Sequence, residues 1–215
     1  MRIRGAIFDV DGTLLDSMFI WDTIGETYLR SIGYEPREKL NEVFKNMSLF
    51  QAARYYRTEY GVTLSIDEIM NGVNAMLERY YRFEVSLRPG VAELLAQLQA
   101  SGVKLCIATA TDRYLVEAAL ERCGVLSCFG AIFTCNEVGH GKDEPDIFEA
   151  ALRFLGTRRE EPLVFDDALY AVRTAKEAGF PVAVIYDSHE KNQEGLRALA
   201  DFYIENFSQV SAEDF

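Results

Sequence analysis

Two aspartates two residues apart, Asp9 and Asp11, close a short apolar run and are followed at once by Gly12-Thr13. On an extended chain such residues project from the same side, so their carboxylates lie roughly 6–7 Å apart. Gly12 permits a tight turn that can aim backbone amides at an anion. Comparable polar groups recur further on: Thr109 after an apolar run, Asp166-Asp167 after another, and Lys142 ahead of a helix opened by Pro145. If the second acidic pair converges on the first, four carboxylates share one crevice, and each like-charged pair at 4 Å costs about 4 kcal/mol at an effective dielectric of ~20. That cluster calls for a cation or raised pKa values, and hard oxygen donors without a nearby Cys or His favour Mg2+ over zinc. The assembly suits phosphoryl transfer to an aspartate. Asp9 is the expected nucleophile, and Asp11 the acid for the leaving alkoxide and then the base for water. Mg2+ neutralises charge between carboxylate and phosphoryl oxygens, and Thr109 and Lys142 hold the transferring oxygens. Gly12, Thr109, Ala110 and Lys142 are the candidate substrate-binding positions; Asp9, Asp11, Asp166 and Asp167 are the candidate metal ligands.

The elements that would position these groups follow from hydrophobic patterning. Short continuous apolar runs at 5–10, 103–108, 131–134, 163–165 and 182–186 read as buried strands, and amphipathic stretches at 91–100, 113–123, 145–155 and 168–178 alternate with the later ones. Continuous apolar strands alternating with helices predict a doubly wound α/β core with a parallel sheet covered on both faces. In such a sheet ligands bind beyond the carboxyl ends of the strands, which is where every candidate residue falls. Residues 17–85 break the rhythm. Trp21, Ile24, Tyr28 and Ile32 recur at helical spacing, and further helices are predicted near 38–45, 49–60 and 66–83. The predicted organisation is a core of 1–16 and 86–215 with an all-helical cap domain of 17–85 inserted after the first strand, on linkers near 16–17 and 83–89.

The chain has 215 residues with 34 acidic and 22 basic side chains, a net charge of −12. This acidity disfavours nucleic-acid and anionic-membrane partners, which require clustered Lys and Arg. No window approaches the 18 or so apolar residues of a membrane span. Four cysteines without CxxC spacing read as small apolar packing residues of a reduced, cytoplasmic protein. The expected partner is a small-molecule phosphate ester, with the chain a monomer or homodimer.

These residues resemble the haloacid dehalogenase-like hydrolase superfamily, in its phosphatase and β-phosphoglucomutase-like branch. Ile7-Phe8-Asp9-Val10-Asp11-Gly12-Thr13-Leu14-Leu15-Asp16-Ser17 is similar to the family's first motif, Thr109 to the second, Gly141-Lys142-Asp143-Glu144-Pro145-Asp146-Ile147-Phe148 to the third, and Phe165-Asp166-Asp167 to the acidic fourth. The resemblance implies a nucleophile at Asp9, an acid/base at Asp11, and Mg2+ among Asp9, the Asp11 carbonyl and Asp167, with Asp166 binding directly or through water. The second aspartate of motif one goes with phosphate chemistry rather than dehalogenation. Asp143 stands where the family usually has proline, and Ala168 and Ala171 where Ser and Gly are common. Trp21 stands near the place of a mutase histidine and Leu49 near that of a mutase arginine, both pointing away from mutase activity.

The bland alternatives are concrete. Strand-end aspartates and threonines often cap helices, and Thr111 and Asp112 are expected to do so. Trp21 and the tyrosines of 17–85 read mainly as interhelical packing, His140 and His189 as surface residues, and the last four residues as a frayed end. Lys45, Asn46 and Ser48 fall where a substrate loop would hang. A sugar phosphomutase, a signalling receiver domain and a catalytically idle scaffold are the rivals to a phosphatase.

Overall fold

The computed structural model describes residues 3–44 and 47–215, so Lys45 and Asn46 lie outside the described residues. In chain order, β1 (Gly5–Phe8) turns into β2 (Leu15–Asp16). Four helices follow: α1 (Met18–Ser31), α2 (Leu40–Phe44), α3 (Leu49–Glu59) and α4 (Ile66–Phe83), after which β3 (Ser86–Leu87) returns the chain. Then come α5 (Val91–Ala100), β4 (Lys104–Thr109), α6 (Arg113–Arg122), β5 (Ala131–Thr134), α7 (Cys135–Val138), α8 (Asp146–Leu155), β6 (Pro162–Asp166), α9 (Leu169–Glu177), β7 (Val182–Ile185), α10 (Gln193–Leu199) and β8 (Phe202–Ile204).

Among the described residues, six strands form one sheet in the order β5-β4-β1-β6-β7-β8, every pair parallel. Numbered along the chain these strands run 3-2-1-4-5-6, the doubly wound order, and the winding reverses between β1 and β6. The apolar runs are continuous because both faces are buried. Phe8, Ile107 and Phe165 pack on one side with α5 and α6, while Ile7, Cys106 and Val164 pack on the other with α8 and α9.

The four-helix segment is held at its two ends by one antiparallel pairing, Leu15 opposite Leu87 and Asp16 opposite Ser86. Its helices start where capping residues dictate. Ser48 and Ser65 each accept the amide of the residue three positions on, Gln51 and Glu68, whose side chains accept the serine amides in return. Ser48, which falls where a substrate loop would hang, caps α3. The apolar face of α4, with Ile69, Val73, Leu77 and Tyr81, is buried at the helical period.

The structure departs from sequence expectation in the last third of the chain. No strand or helix is expected at β8 or α10 from the sequence, yet β8 pairs with β7 and closes the sheet. The C-terminus is not frayed: Phe215 is buried, its ring edge-on to Phe165 at 5.5 Å and Phe202 at 5.1 Å. Cys106 and Cys135 are buried and Cys123 and Cys128 half-buried, all four as free thiols. No helix among the described residues is long and apolar enough to cross a membrane.

Candidate active site

β1 stops at Phe8, two residues short of the apolar run, because the chain there turns out over the sheet edge, although the Asp9 amide still donates to the Phe165 carbonyl at 2.9 Å. That bond fixes Asp9 beside the end of β6 at the reversal of the winding. The carboxylates of Asp9, Asp166 and Asp167 consequently offer oxygens that all lie within 4.8 Å of one another, and all three residues are buried. Lys142, on the loop before α8 and only 4% exposed, donates to Asp9 Oδ1 at 2.5 Å and to Asp166 Oδ2 at 2.7 Å. Asp166 Oδ1 accepts the Ala168 amide at 3.0 Å, and Asp167 Oδ1 accepts the Thr13 hydroxyl at 3.0 Å.

Three carboxylates against one ammonium leave two negative charges unbalanced in a buried crevice, and the pKa values respond. Burial above all, opposed by Lys142 and reinforced by Asp166 and Asp11, pushes Asp9 up to about 7 from 3.8. Burial and then Asp9 hold Asp167 well above the carboxylate range. For Lys142 burial opposes the charge, but Asp166 and Asp9 outweigh it and its pKa rises. A divalent cation among Asp9, Asp166 and Asp167 would cancel the deficit, and an all-oxygen donor set suits a hard ion such as Mg2+.

This linkage has a measurable sign. Between 3.8 and about 7 the folded chain keeps a proton on Asp9 that the unfolded chain releases. The stability this confers is complete below the lower value and is lost as pH rises through the upper one. Mg2+ favours the ionised carboxylates, so the rise in Tm on adding Mg2+ to EDTA-treated protein is expected to be several degrees larger at about pH 7.5 than at about pH 5.5. Thermal melts check this; a Mg2+ shift that does not change with pH would place the ion away from Asp9.

Asp11 sits apart from that trio and is held by hydroxyls. Ser17 Oγ and Tyr81 OH donate to its Oδ1, each at 2.6 Å, and Thr111 Oγ1 donates to its Oδ2 at 2.6 Å. Trp21 Nε1 in turn donates to the Tyr81 oxygen at 3.3 Å. The Tyr81 phenol is raised well above 10, first by burial and then by Asp11. Thr109, 1% exposed, accepts the Thr111 amide on its Oγ1 at 3.1 Å.

Of the residues expected from sequence, Asp9, Asp11, Thr109, Ala110, Lys142, Asp166 and Asp167 all line one cavity. Gly12 does not. Its amide donates to the Leu15 carbonyl at 3.0 Å rather than facing an anion, and its place is conformational, with φ +78° and no room for a Cβ against the Asp167 carboxylate. Three expectations need correction, those for Thr111, Asp112 and His189. Thr111 binds Asp11 instead of capping a helix. Asp112 stands at the N-cap of α6 but makes no side-chain cap bond there, accepting from Asn74 and Asn136 instead. Trp21 and Tyr56 line the cavity besides packing between helices. His189 is not a plain surface residue: it lines the same cavity, with Nδ1 2.6 Å from Asp187 and Nε2 2.9 Å from Asp22 of α1. Asp187 also receives Arg88, which donates to the Gly12 carbonyl at 2.6 Å and so ties the return strand to the first turn. His140, by contrast, is exposed beside Asp146.

The wall opposite the carboxylates comes from the four-helix segment and is mostly apolar, with Met18, Trp21, Ile24, Phe44, Leu49 and Val73. Among the described residues, Lys142 is the one lysine or arginine lining the cavity.

A family model described as haloacid dehalogenase-like hydrolase matches residues 6–185. Protein CbbY of Cereibacter sphaeroides is 30% identical over 216 residues, covering 93% of this chain and 93% of that protein. (DL)-glycerol-3-phosphatase 1 of Arabidopsis thaliana is 30% identical over 226 residues, covering 99% of this chain and 76% of that protein. The crystal structure of a CbbY mutant from Rhodobacter sphaeroides in complex with xylulose-(1,5)bisphosphate matches with a TM-score of 0.85 at 27% identity, covering 96% of each chain.

Proposed function

The chain belongs to the haloacid dehalogenase-like hydrolase family and is a phosphatase of it, and we propose that it hydrolyses a small phosphomonoester through an aspartyl-phosphate on Asp9, with Asp11 as general acid and base. The observation that carries this reading is the buried cluster of Asp9, Asp166, Asp167 and Lys142 at the reversal point of the sheet.

The nucleophile's oxygen forms a bond to phosphorus as the ester oxygen leaves with a proton from Asp11. Water then attacks the same phosphorus, gives its proton to Asp11, and frees both phosphate and the Asp9 carboxylate. Thr109 is suited to donate to a phosphoryl oxygen, because its own oxygen already accepts the Thr111 amide and its hydrogen remains available. Lys142 holds Asp9 in line and offers positive charge to the transferring oxygens. Asp9, Asp166 and Asp167 would hold Mg2+, joined by the Asp11 carbonyl. When bound, the ion supplies the positive charge that lets an anionic carboxylate approach an anionic ester.

Residues 17–85 act in this reading as a cap over the core formed by 1–16 and 86–215. The apolar wall receives the alcohol part of the ester and excludes water during transfer. One named relative is a glycerol-3-phosphatase and another binds xylulose-(1,5)bisphosphate, the spread of phosphate esters expected when the cap chooses the substrate.

The test is phosphate release from a panel of phosphomonoesters, with Mg2+ and with EDTA. Turnover that requires the ion and varies with the alcohol is the expected result; no release from any ester would overturn the reading.

A further inference from the structure

We infer that Tyr81 is a positioning residue for proton transfer: through its hydroxyl, the far end of α4 fixes the orientation of the Asp11 carboxyl. The inference rests on the reading of Asp11 as general acid and base.

Three observations carry it. The first is the direction of the protons. An indole N–H can only donate, so the Trp21 contact uses an acceptor site on the Tyr81 oxygen, and the single phenolic hydrogen goes to Asp11 Oδ1 at 2.6 Å. The second is burial: Tyr81 is 0% exposed and its oxygen is engaged by Asp11 and Trp21, so the ring has no alternative place for its hydroxyl. The third is where the donors come from. Ser17 precedes α1, Tyr81 lies in the last turn of α4, and Thr111 follows β4. Three hydroxyls from three segments leave the carboxyl one orientation, and two of the three segments are the start and end of the four-helix insertion. The insertion therefore sets the acid's orientation as well as covering the crevice. Packing alone would be met by phenylalanine, and the hydroxyl answers a need that packing does not explain.

The consequence is selective. Departure of an alkoxide needs a well-aimed proton, whereas p-nitrophenolate leaves as a stabilised anion and hardly needs one. The ratio kcat/KM covers steps up to and including that departure. Tyr81→Phe is expected to lower kcat/KM about 10-fold or more on a primary alkyl phosphate and less than about 3-fold on p-nitrophenyl phosphate. Ser17→Ala, which leaves the cavity wall intact and removes the other hydroxyl from Asp11 Oδ1 at the start of the insertion, is expected to shift the alkyl-to-aryl ratio the same way by a smaller factor; it carries the test if Tyr81→Phe does not fold. Equal losses on both esters, or no loss on either, overturn the inference while leaving a working phosphatase. A native chain that hydrolyses neither ester overturns the phosphatase reading, and this inference with it.

Discussion

Asp9→Asn is expected to release phosphate at least ~10⁴-fold more slowly than the native chain, with a Tm within a few degrees of it. An amide of the same shape fills the same site but cannot form the covalent bond to phosphorus, and the neighbouring carboxylates are engaged elsewhere: Asp167 accepts the Thr13 hydroxyl. Asp11 is occupied by three hydroxyls, and Asp166 is bound by Lys142 and by the Ala168 amide. Stability changes little because two effects oppose each other. The substitution removes the bond from Lys142 to Asp9 Oδ1, but it also removes a carboxylate that burial above all, and then Asp166 and Asp11, disfavour. Lys142 keeps Asp166 at 2.7 Å. Activity is read by phosphate release and fold by circular dichroism melting. A variant working within about tenfold of the native rate would mean that water, not Asp9, attacks phosphorus.

The central half of the site was legible because its residues end strands. An apolar run buried on both faces identifies a parallel strand, and the first polar residue after it must lie at the carboxyl edge. Asp9, Thr109 and Asp166 all follow that rule and share one cavity. Lys142 is on a loop, marked by its place ahead of Pro145 and by the resemblance of 141–148 to the third family motif. The surroundings of Asp11 were not legible. Its partners Ser17, Tyr81 and Thr111 stand 6, 70 and 100 residues away. The stripe Val73–Leu77–Tyr81 at helical spacing marks Tyr81 as an inward residue of α4 and separates it from Tyr80, but periodicity says nothing about what a buried hydroxyl will meet. His189 was missed for the same reason: its partner Asp22 belongs to the insertion, and no local pattern joins the two. The end of the chain misled in a different way. Phe215 follows polar residues, and only the aromatic surface formed by Phe165 and Phe202 gives it somewhere to pack.

The second large effect concerns what keeps three buried carboxylates together before any cation arrives. Lys142→Met keeps most of the side-chain length and apolar stem but removes the ammonium that both Asp9 and Asp166 contact. Both partners and the lysine are nearly inaccessible to water, so solvent cannot screen the charge that is left, and breaking a buried pair by removing one member costs about 3–5 kcal/mol. For a chain of this size that is a fall in Tm of roughly 10 °C. The carboxylates have a partial escape, since Asp9 and Asp167 already hold protons above their ordinary range. The destabilisation of Lys142→Met is therefore expected to be smallest in mild acid and to grow as pH rises toward about 8, the direction in which those protons are lost. Saturating Mg2+ should recover part of the lost Tm, because a divalent charge opposes the same repulsion. It should not recover turnover, expected to stay at least ~10²-fold below native, because no ammonium would then donate to Asp9 Oδ1 and meet the transferring oxygens from the lysine's side. Melting curves across pH, with and without Mg2+, separate the two roles. A loss of Tm that is the same at every pH would assign Lys142 to packing alone, and full recovery of activity by Mg2+ would remove it from the chemistry.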